Sequence, residues 1–288
     1  MSTGSVVPGR SMLDVEIDLD CFDDAGRRIP TAKSRVFGGG FRAYYCLRQP
    51  DHDYAVVLQR LRHVDLAPQS LNPESFTAAV DSLADLIRAD RNYARLFEGV
   101  HVPFAARCST AEGDLGRNLE ERLLPCVAQA FSTEYPQSHF KATLQGNSKL
   151  VSSITLDPRS RYGDLLTAAE NQGVVGWYFP QVLQEFDIES QRQQMVDLPV
   201  LPGAGVCLSG GLDICASLVG TPGLLINPDA YAPILCLSSY VHADDRLVLL
   251  IKSYGPHLEF WCMSQMLTPH SKQVSEQWAG GITIFRPV

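Results

Sequence analysis

The stretch 247-LVLLIKSYGPHLEFWCM-263 indicates that the C-terminal part of the chain forms a β-sheet. Two apolar runs, residues 247–252 and 258–263, flank Gly255 and Pro256, which is the pattern of two strands joined by a turn. Three further runs of this kind follow Pro199 and are separated by turn residues; they cover residues 206–208, 234–237 and 282–285. The sequence therefore predicts a β-rich C-terminal part.

The middle of the chain has the spacing of helices. Asn72-Pro73-Glu74 predicts a helix start, because Asn72 can cap the first turn, proline fits there and an acid suits the positive end of the dipole. Apolar residues at helical spacing follow, namely Phe76, Val80, Leu83, Leu86 and Ile87. Other helices are expected at 93–99, at 115–131 with a break at Pro125, at 162–169 and at 180–186. Strands are expected at 100–106 and as a pair at 139–144 and 151–156.

The N-terminal part also has strand character. Apolar and acidic residues alternate over 13–19, and strands are expected at 34–37 and 41–47 around three glycines. Residues 54–64 fit a strand or a short helix, and their β-branched start favours a strand. The predicted fold is α+β, with a mixed or antiparallel sheet built from the β-rich N- and C-terminal parts and a helical middle. Residues 1–288 are expected to form a single domain, with 1–11 as a disordered tail.

Composition narrows the class of protein. Hydrophobic residues make up 45% and charged residues 19%, which is too apolar for a disordered chain. The formal charge of -8 repels a nucleic-acid backbone, so nucleic acid is not an expected partner. No signal peptide or apolar run of membrane-spanning length is present, which predicts a soluble, cytoplasmic protein that does not bind membranes. The eight cysteines are scattered and never form a C-x-x-C pair, so neither zinc nor another metal is expected.

The string Ser209-Gly210-Gly211-Leu212-Asp213 is the sharpest local motif. It resembles the pyrophosphate-binding loop of ATP pyrophosphatases such as asparagine synthetase, where backbone amides at a helix start hold a phosphate. That family continues with serine where this chain has Ile214. A Gly-Gly turn between two strands explains the string equally well. Nucleotide binding through a degenerate form of this motif is therefore an alternative function.

The sequence gives weaker support to two other kinds of site, a Cys/His hydrolase site and a metal site. The chain has no G-x-S-x-G motif and no known signature around a cysteine, although a Cys/His hydrolase stays open because spatial triads are invisible in sequence. The acidic turns with histidine, Asp51-His52-Asp53 and His242 with Asp244 and Asp245, contain metal-ligand types but fit solvated turns better.

A dispersed set of residues suggests a small-molecule site. Arg48 follows the aromatic run at 41–47, His63 lies in the next segment and Glu74 lies in a predicted first helical turn. If the two segments pair, Arg48 and His63 could reach one pocket floored by Tyr44 or Tyr45, with Glu74 facing it. Arginine would bind a substrate carboxylate, histidine would bind a carbonyl and the acid could move protons. Ordinary surface and capping roles for these residues are the competing interpretation.

The order and spacing of this set resemble those of the bacterial β-carboline-forming Pictet-Spengler enzymes, with fifteen positions from Arg48 to His63 and eleven from His63 to Glu74. The resemblance implies an alkaloid biosynthetic homodimer that condenses L-tryptophan with a carboxylated α-keto aldehyde to a β-carboline. It implies small-molecule substrates, Glu74 as the catalytic acid and no organic or metal cofactor. Glu98 is the rival acid. The aromatic residues that could wall an indole pocket are Tyr44, Tyr45, Phe104, Trp177 and Phe179.

A non-catalytic homodimeric interaction protein is the alternative from another class. The enzyme would need a concave pocket in which an acid meets an arginine or histidine, whereas the interaction protein would need an exposed apolar patch or a free sheet edge. The nucleotide-binding alternative would need the Ser209 loop at a helix N-terminus and open to solvent.

Overall fold

The computed structural model describes residues 20–37, 44–108, 113–144, 149–264, 266–268, 271–272 and 277–288. The helices are α1 Tyr54–His63, α2 Pro73–Ala89, α3 Leu115–Asn118, α4 Leu124–Glu134, α5 Tyr162–Asn171, α6 Ile188–Asp197 and α7 Gly211–Gly220. The strands are β1 Val102–Ala106, β2 Phe140–Leu144, β3 Ile154–Leu156, β4 Val174–Gln184, β5 Gly205–Leu208, β6 Ile234–Cys236, β7 Tyr240–His242, β8 Leu247–Tyr254, β9 His257–Ser264, β10 Met266–Thr268, β11 Ser271–Lys272 and β12 Trp278–Pro287.

The main sheet has the strand order β1-β4-β12-β6-β8-β9-β2, and β5 also pairs with β12. Two pairs, β6 with β12 and β2 with β9, are parallel, and the other pairs are antiparallel. Every residue of β4 is buried, so this strand lies inside the sheet with both faces covered. The predicted α+β class with a mixed sheet is confirmed.

The C-terminal strands are where the sequence predicted them. Strands β8 and β9 form a hairpin whose last pair is Tyr254 with His257, around a Gly255 with positive φ. Along β9 the residues Leu258, Phe260 and Cys262 are buried and alternate with less buried ones, as expected for a strand with one face on the core. Strand β12 is longer than the predicted run and occupies the centre of the sheet.

The predicted helix at 180–186 is wrong. Residues 180–184 belong to β4, which continues through Pro180. The register between β4 and β12 shifts between the pairs Phe179–Ile282 and Leu183–Gly280. A proline has no N–H to give to the ladder, and an irregularity of this kind is where a strand tolerates one.

The preferred strand at 54–64 is also wrong, because this segment is α1. The side chain of Asp53 accepts a hydrogen bond from the Val56 N–H and so caps the helix. The buried residues Val57, Leu58 and Leu61 lie on one helical face. A good cap and an apolar face therefore outweigh the weak strand preference of the β-branched start.

The remaining predicted helices are present, whereas α6 lies in a segment for which no helix is predicted. The Asn72 side chain accepts a hydrogen bond from the Ser75 N–H and caps α2. The expected short helix before Gly99 is a 3-10 turn, Ala94–Glu98. The helix expected at 115–131 is interrupted by a π-turn, Leu119–Leu123, after which Pro125 lies in the first turn of α4.

Several expectations about strands are revised. The strands at 139–144 and 151–156 exist as β2 and β3, but β2 pairs with β9 and β3 pairs with β7, so the predicted pairing between them is wrong. The predicted strand at 13–19, the tail at 1–11 and residues 38–43 lie outside the described residues. The segments 34–37 and 44–47 contribute only the bridges Val36–Phe186 and Tyr45–Tyr231. No helix in the described ranges has the length and apolar character needed to cross a bilayer.

Helix α7 lies at the centre of the molecule. All of its residues are buried, as expected for a helix that is apolar on every side. It packs against α1, α4 and β1. Gly210 and Gly211 lead from β5 into this helix, so of the two interpretations of the Ser209 loop the turn between two strands is wrong and the helix start is correct.

Candidate functional site

The structure does not bring the three residues Arg48, His63 and Glu74 into one pocket. Arg48 is exposed and lies 3.6 Å from the carboxylate of Asp229. His63 is exposed at the last residue of α1. Glu74 is exposed in the first turn of α2, beside the capping residue Asn72.

The helical conformation of α1 explains why Arg48 and His63 do not share a pocket. Arg48 precedes the ten-residue helix and His63 is its last residue, so the length of the helix, about 15 Å along its axis, separates them. Two paired strands could have placed these residues side by side, whereas a helix separates them. The expected single pocket around Glu74 is therefore wrong.

The structure does bring Arg48 and the two expected tyrosines to one surface. The ring of Tyr44 stacks on the ring of Tyr231, with centroids 5.9 Å apart, and Tyr45 forms a bridge with Tyr231. Arg48 joins the same segment through Asp229. We call Tyr44, Tyr45 and Tyr231 the tyrosine surface; Tyr44 is 59% exposed and Tyr231 66% exposed.

Two buried glutamines of β4 fix the segment that carries these tyrosines. The Leu47 N–H donates to Oε1 of Gln181 over 2.9 Å, and Nε2 of Gln184 donates to the Tyr45 carbonyl over 2.7 Å. Gln181 Nε2 also donates to Gln184 Oε1, so the two amides hold each other. Buried amides that are hydrogen-bonded at both ends are rigid, and they hold residues 45–47 against the sheet.

A pocket of about 170 Å³ lies next to this segment, and we call it the Glu98 pocket. Its lining includes Arg27, Cys46, Glu98 and Gln181. An apolar cavity of about 150 Å³ is large enough to bind benzene, so this pocket has room for one ring of a small ligand. Glu98 is exposed and therefore stands where the pocket opens to solvent.

The chain brings Arg27 and Glu98 to the same pocket through a close contact between two glycines. The 3-10 turn ends at Glu98 and is followed by Gly99. Gly26 has a φ of +69°, and a Cβ on it would lie 2.7 Å from the Gly99 nitrogen. Only glycine permits this conformation and this approach. The neighbours of the two glycines, Arg27 and Glu98, therefore lie on one wall of the pocket.

Phe97 and His101, which flank Glu98 in the sequence, belong to a cluster of aromatic and histidine rings. The ring centroids of Phe97 and His101 are 4.7 Å apart, and that of Trp177 lies 5.4 Å from His101. His52 Nε2 donates to the His101 carbonyl over 2.9 Å, and His101 Nδ1 donates to the Gly99 carbonyl over 2.8 Å. Burial lowers the pKa of both histidines, which favours neutral rings at neutral pH.

The aromatic residues expected to wall an indole pocket divide into separate groups. Trp177 and Phe179 belong to the ring cluster beside His101. Phe104 is fully buried and its ring covers Gly176 in the core. Tyr44 and Tyr45 belong to the tyrosine surface.

The Ser209 loop leads into a helix, as a phosphate loop would, but the protein itself fills it. Oδ1 of Asp213 accepts hydrogen bonds from the Gly210 N–H over 2.9 Å and from the Tyr162 hydroxyl over 2.8 Å. Asp213 is fully buried, and burial raises the pKa of its carboxyl group. A Cβ on Gly210 would lie 2.7 Å from the Tyr162 ring, so the loop has no space for a phosphate in this conformation.

The two acidic turns with histidine have local roles. Asp53 caps α1, and His242 Nδ1 accepts a hydrogen bond from the Asp244 N–H over 2.9 Å. Among the residues that the structure describes, no three His, Cys, Asp or Glu side chains are grouped closely enough to hold a metal ion.

Sequence reasoning missed Arg27 and Gln181 as pocket residues. Gln181 lies in a segment that was expected to be helical, and Arg27 lies in a turn with no motif. Glu98 was singled out as the rival acid, and the glycine after it was the local signal for the end of a helical turn.

The comparisons with known proteins leave the function to be argued from this geometry. The chain matches no protein-family model, and neither the curated proteins nor the solved structures contain a chain found to be similar.

Proposed function

We propose that the protein is a small-molecule enzyme that joins an aromatic amine to a carboxylated aldehyde by a Pictet-Spengler-type cyclisation at the Glu98 pocket. The observation that carries this proposal is the presence of Glu98 and Arg27 in the lining of one pocket of ring size. The acid is Glu98 in place of Glu74, because Glu98 lines the pocket and Glu74, at the start of α2, does not.

The chemistry needs only groups that this pocket offers. The amine and the aldehyde form an imine and release water, and C2 of an indole such as that of L-tryptophan then attacks the imine carbon. The Glu98 carboxylate would remove the proton that C2 must lose, which restores the aromatic ring. The Arg27 guanidinium would bind the carboxylate of the aldehyde through paired hydrogen bonds.

The surroundings of the pocket favour a substrate with an apolar part. The wall formed by Leu47, Leu96 and Val182 is apolar, and Cys46 next to Leu47 joins the pocket to the tyrosine surface. A ring that entered this pocket would cover Glu98 and exclude water from it, which raises the basicity of a carboxylate.

The test compares two glutamates that are both exposed. The wild-type protein, Glu98→Gln and Glu74→Gln are incubated with L-tryptophan and a carboxylated glyoxal-type aldehyde, and the cyclised product is measured by mass spectrometry. We expect Glu98→Gln to lose at least about a hundredfold in rate, as for removal of a general base, and Glu74→Gln to keep the wild-type rate. An equal effect of both substitutions, or product formed at the uncatalysed rate by the wild-type protein, contradicts the proposal.

A second comparison tests the role of Arg27. Arg27→Ala is expected to raise KM for a carboxylated aldehyde and to leave a neutral aldehyde nearly unaffected, because only the first has a carboxylate to bind. Arg48→Ala is the matched control, since Arg48 lies outside the pocket lining. Equal losses on both aldehydes would show that Arg27 does not bind the substrate carboxylate.

The tyrosine surface favours a homodimeric interaction protein as a second candidate function. Exposed tyrosines are enriched at protein interfaces because they add large contact area at low entropic cost. Under this proposal Tyr44→Ser together with Tyr231→Ser would convert a dimer into a monomer in sedimentation experiments. A wild-type protein that sediments as a monomer at all concentrations excludes it.

A further inference from the structure

A second cavity lies at the other end of the main sheet, between α4 and the edge strand β2. Its volume is about 320 Å³, which falls within the range of about 300–1,000 Å³ that is usual for small-molecule sites. The Glu98 pocket touches β4, near the β1 edge, whereas this cavity touches β2 at the opposite edge. We call it the Glu120 cavity.

The walls of the Glu120 cavity are almost entirely apolar. Helix α4 contributes Leu124, Pro125 and Ala128, and the facing strand contributes Phe140, Ala142 and Leu144, with Leu150 completing the lining. Among the described residues that line the cavity, Glu120 is the single ionisable one. A ligand of this cavity therefore needs an apolar body and one polar group.

Glu120 has an oxygen that is buried and has no partner. Its Oε2 atom is shielded from solvent, and no described residue donates a hydrogen bond to it. A buried carboxylate oxygen without a donor costs free energy, and such an atom in a native structure calls for a missing partner. The neighbouring Glu121 is exposed and does not line the cavity.

The π-turn explains why this acid faces the cavity. Within Leu119–Leu123 the Leu124 N–H donates to the Leu119 carbonyl, five residues back, where an α-helix would use the residue four back. The extra residue changes which side chains face β2. Single π-turns inside α-helices occur frequently at functional sites.

We propose that the Glu120 cavity binds a small apolar ligand that carries one protonated amine, held by a charge-assisted hydrogen bond to the Glu120 carboxylate. A cation is the partner that a carboxylate on the wall of an apolar cavity binds most strongly. The formal charge of -8 on the chain favours the approach of a cation over that of an anion. This site goes beyond the proposed function, because it lies away from the Glu98 pocket and requires no reaction.

Calorimetry with three probes that share a phenyl group and are similar in size tests the ligand class. The probes are 2-phenylethylamine, 2-phenylethanol and 3-phenylpropionate, which differ in the charge of their polar end. We expect the amine to bind about tenfold more tightly than the alcohol, and the carboxylate not to bind. Equal affinity for the amine and the alcohol, or no heat with the amine, overturns the proposal.

Substitutions locate the site. Glu120→Gln keeps the shape of the side chain and should weaken amine binding about tenfold or more, whereas Glu121→Gln should leave it unchanged. A loss in Glu98→Gln, with none in Glu120→Gln, would assign the amine to the Glu98 pocket and overturn the proposal. Ala128→Leu narrows the cavity without touching the acid, and it should also weaken binding. If Ala128→Leu binds the amine with the affinity of the wild-type protein, that result also contradicts the proposed site.

Discussion

The hydroxyl group of Tyr162 donates a hydrogen bond to Oδ1 of Asp213 over 2.8 Å and accepts one from the Leu212 N–H over 2.8 Å. One side chain of α5 thus satisfies both the acid of α7 and a backbone N–H in its first turn. The Thr283 hydroxyl of β12 donates to the other carboxylate oxygen. This buried network joins α5, α7 and the central strand of the sheet.

The first prediction concerns the tyrosine of this network. Tyr162→Phe keeps the ring but leaves the Leu212 N–H without its acceptor in a fully buried position. We expect a loss of about 1–3 kcal/mol in the free energy of unfolding. Urea unfolding measures it, and Tyr254→Phe is the control because Tyr254 is 71% exposed. Equal stabilities of the two variants would show that the network contributes little.

The second prediction concerns the charge of Asp213. Burial raises the pKa of its carboxyl group, so the folded protein keeps a proton that the unfolded chain releases at a pH of about 4. The stabilising contribution of this group is therefore complete below that pH and is lost as the pH rises through the folded-state pKa. Asp213→Asn removes the titration.

The measurement is the difference in unfolding free energy between wild-type protein and Asp213→Asn as a function of pH. We expect this difference to shift in favour of the asparagine variant as the pH rises above about 4. A difference that is constant with pH would mean that the acid has the same pKa in both states.

The third prediction concerns the glycine at the start of α7. A Cβ on Gly210 would lie 2.7 Å from the Tyr162 ring, so Gly210→Ala must displace a buried ring and should cost about 1–3 kcal/mol. Gly163 in α5 has no atom within 4 Å of a built Cβ, and Gly163→Ala should stabilise the helix by about 0.5–1 kcal/mol. Thermal unfolding of the two variants should therefore shift in opposite directions. Shifts of the same sign would contradict the packing around Gly210.

The elements that could be predicted from sequence are those whose signals are local. The cap at Asn72 and the apolar spacing after it define α2, and the turn at Gly255 separates β8 from β9. Residues 54–64 had two conflicting local signals, and the Asp53 cap decided the outcome. Residues 180–184 could not be assigned, because their conformation depends on pairing with β12, about a hundred positions away.

The candidate site was harder to predict than the fold. Arg27 and Glu98 are brought together by two glycines that are far apart in sequence, and no spacing rule encodes such a contact. Gln181 acts through a hydrogen bond to the Leu47 backbone, which a sequence pattern cannot show. The predicted pocket of Arg48, His63 and Glu74 is wrong because it required two paired strands where the chain forms a helix.

The last prediction concerns the histidines beside the Glu98 pocket. Burial lowers the pKa of His52 and His101, so the unfolded chain takes up protons at a higher pH than the folded protein does. Their contribution to stability is complete above the unfolded pKa of about 6.5 and is lost as the pH falls below it. In His101→Asn the amide can still donate to the Gly99 carbonyl but no longer titrates. We therefore expect the melting temperature of this variant to fall less than that of the wild-type protein between about pH 7 and pH 5.

The control for this experiment is His63→Asn, which removes an exposed histidine at the end of α1. The melting temperature of His63→Asn should change with pH as that of the wild-type protein does, whereas the melting temperature of His101→Asn should change less. Parallel curves for all three proteins would mean that the ring of His101 is protonated equally well in the folded and unfolded states. In that case the ring cluster beside Glu98 would not hold His101 in its neutral form.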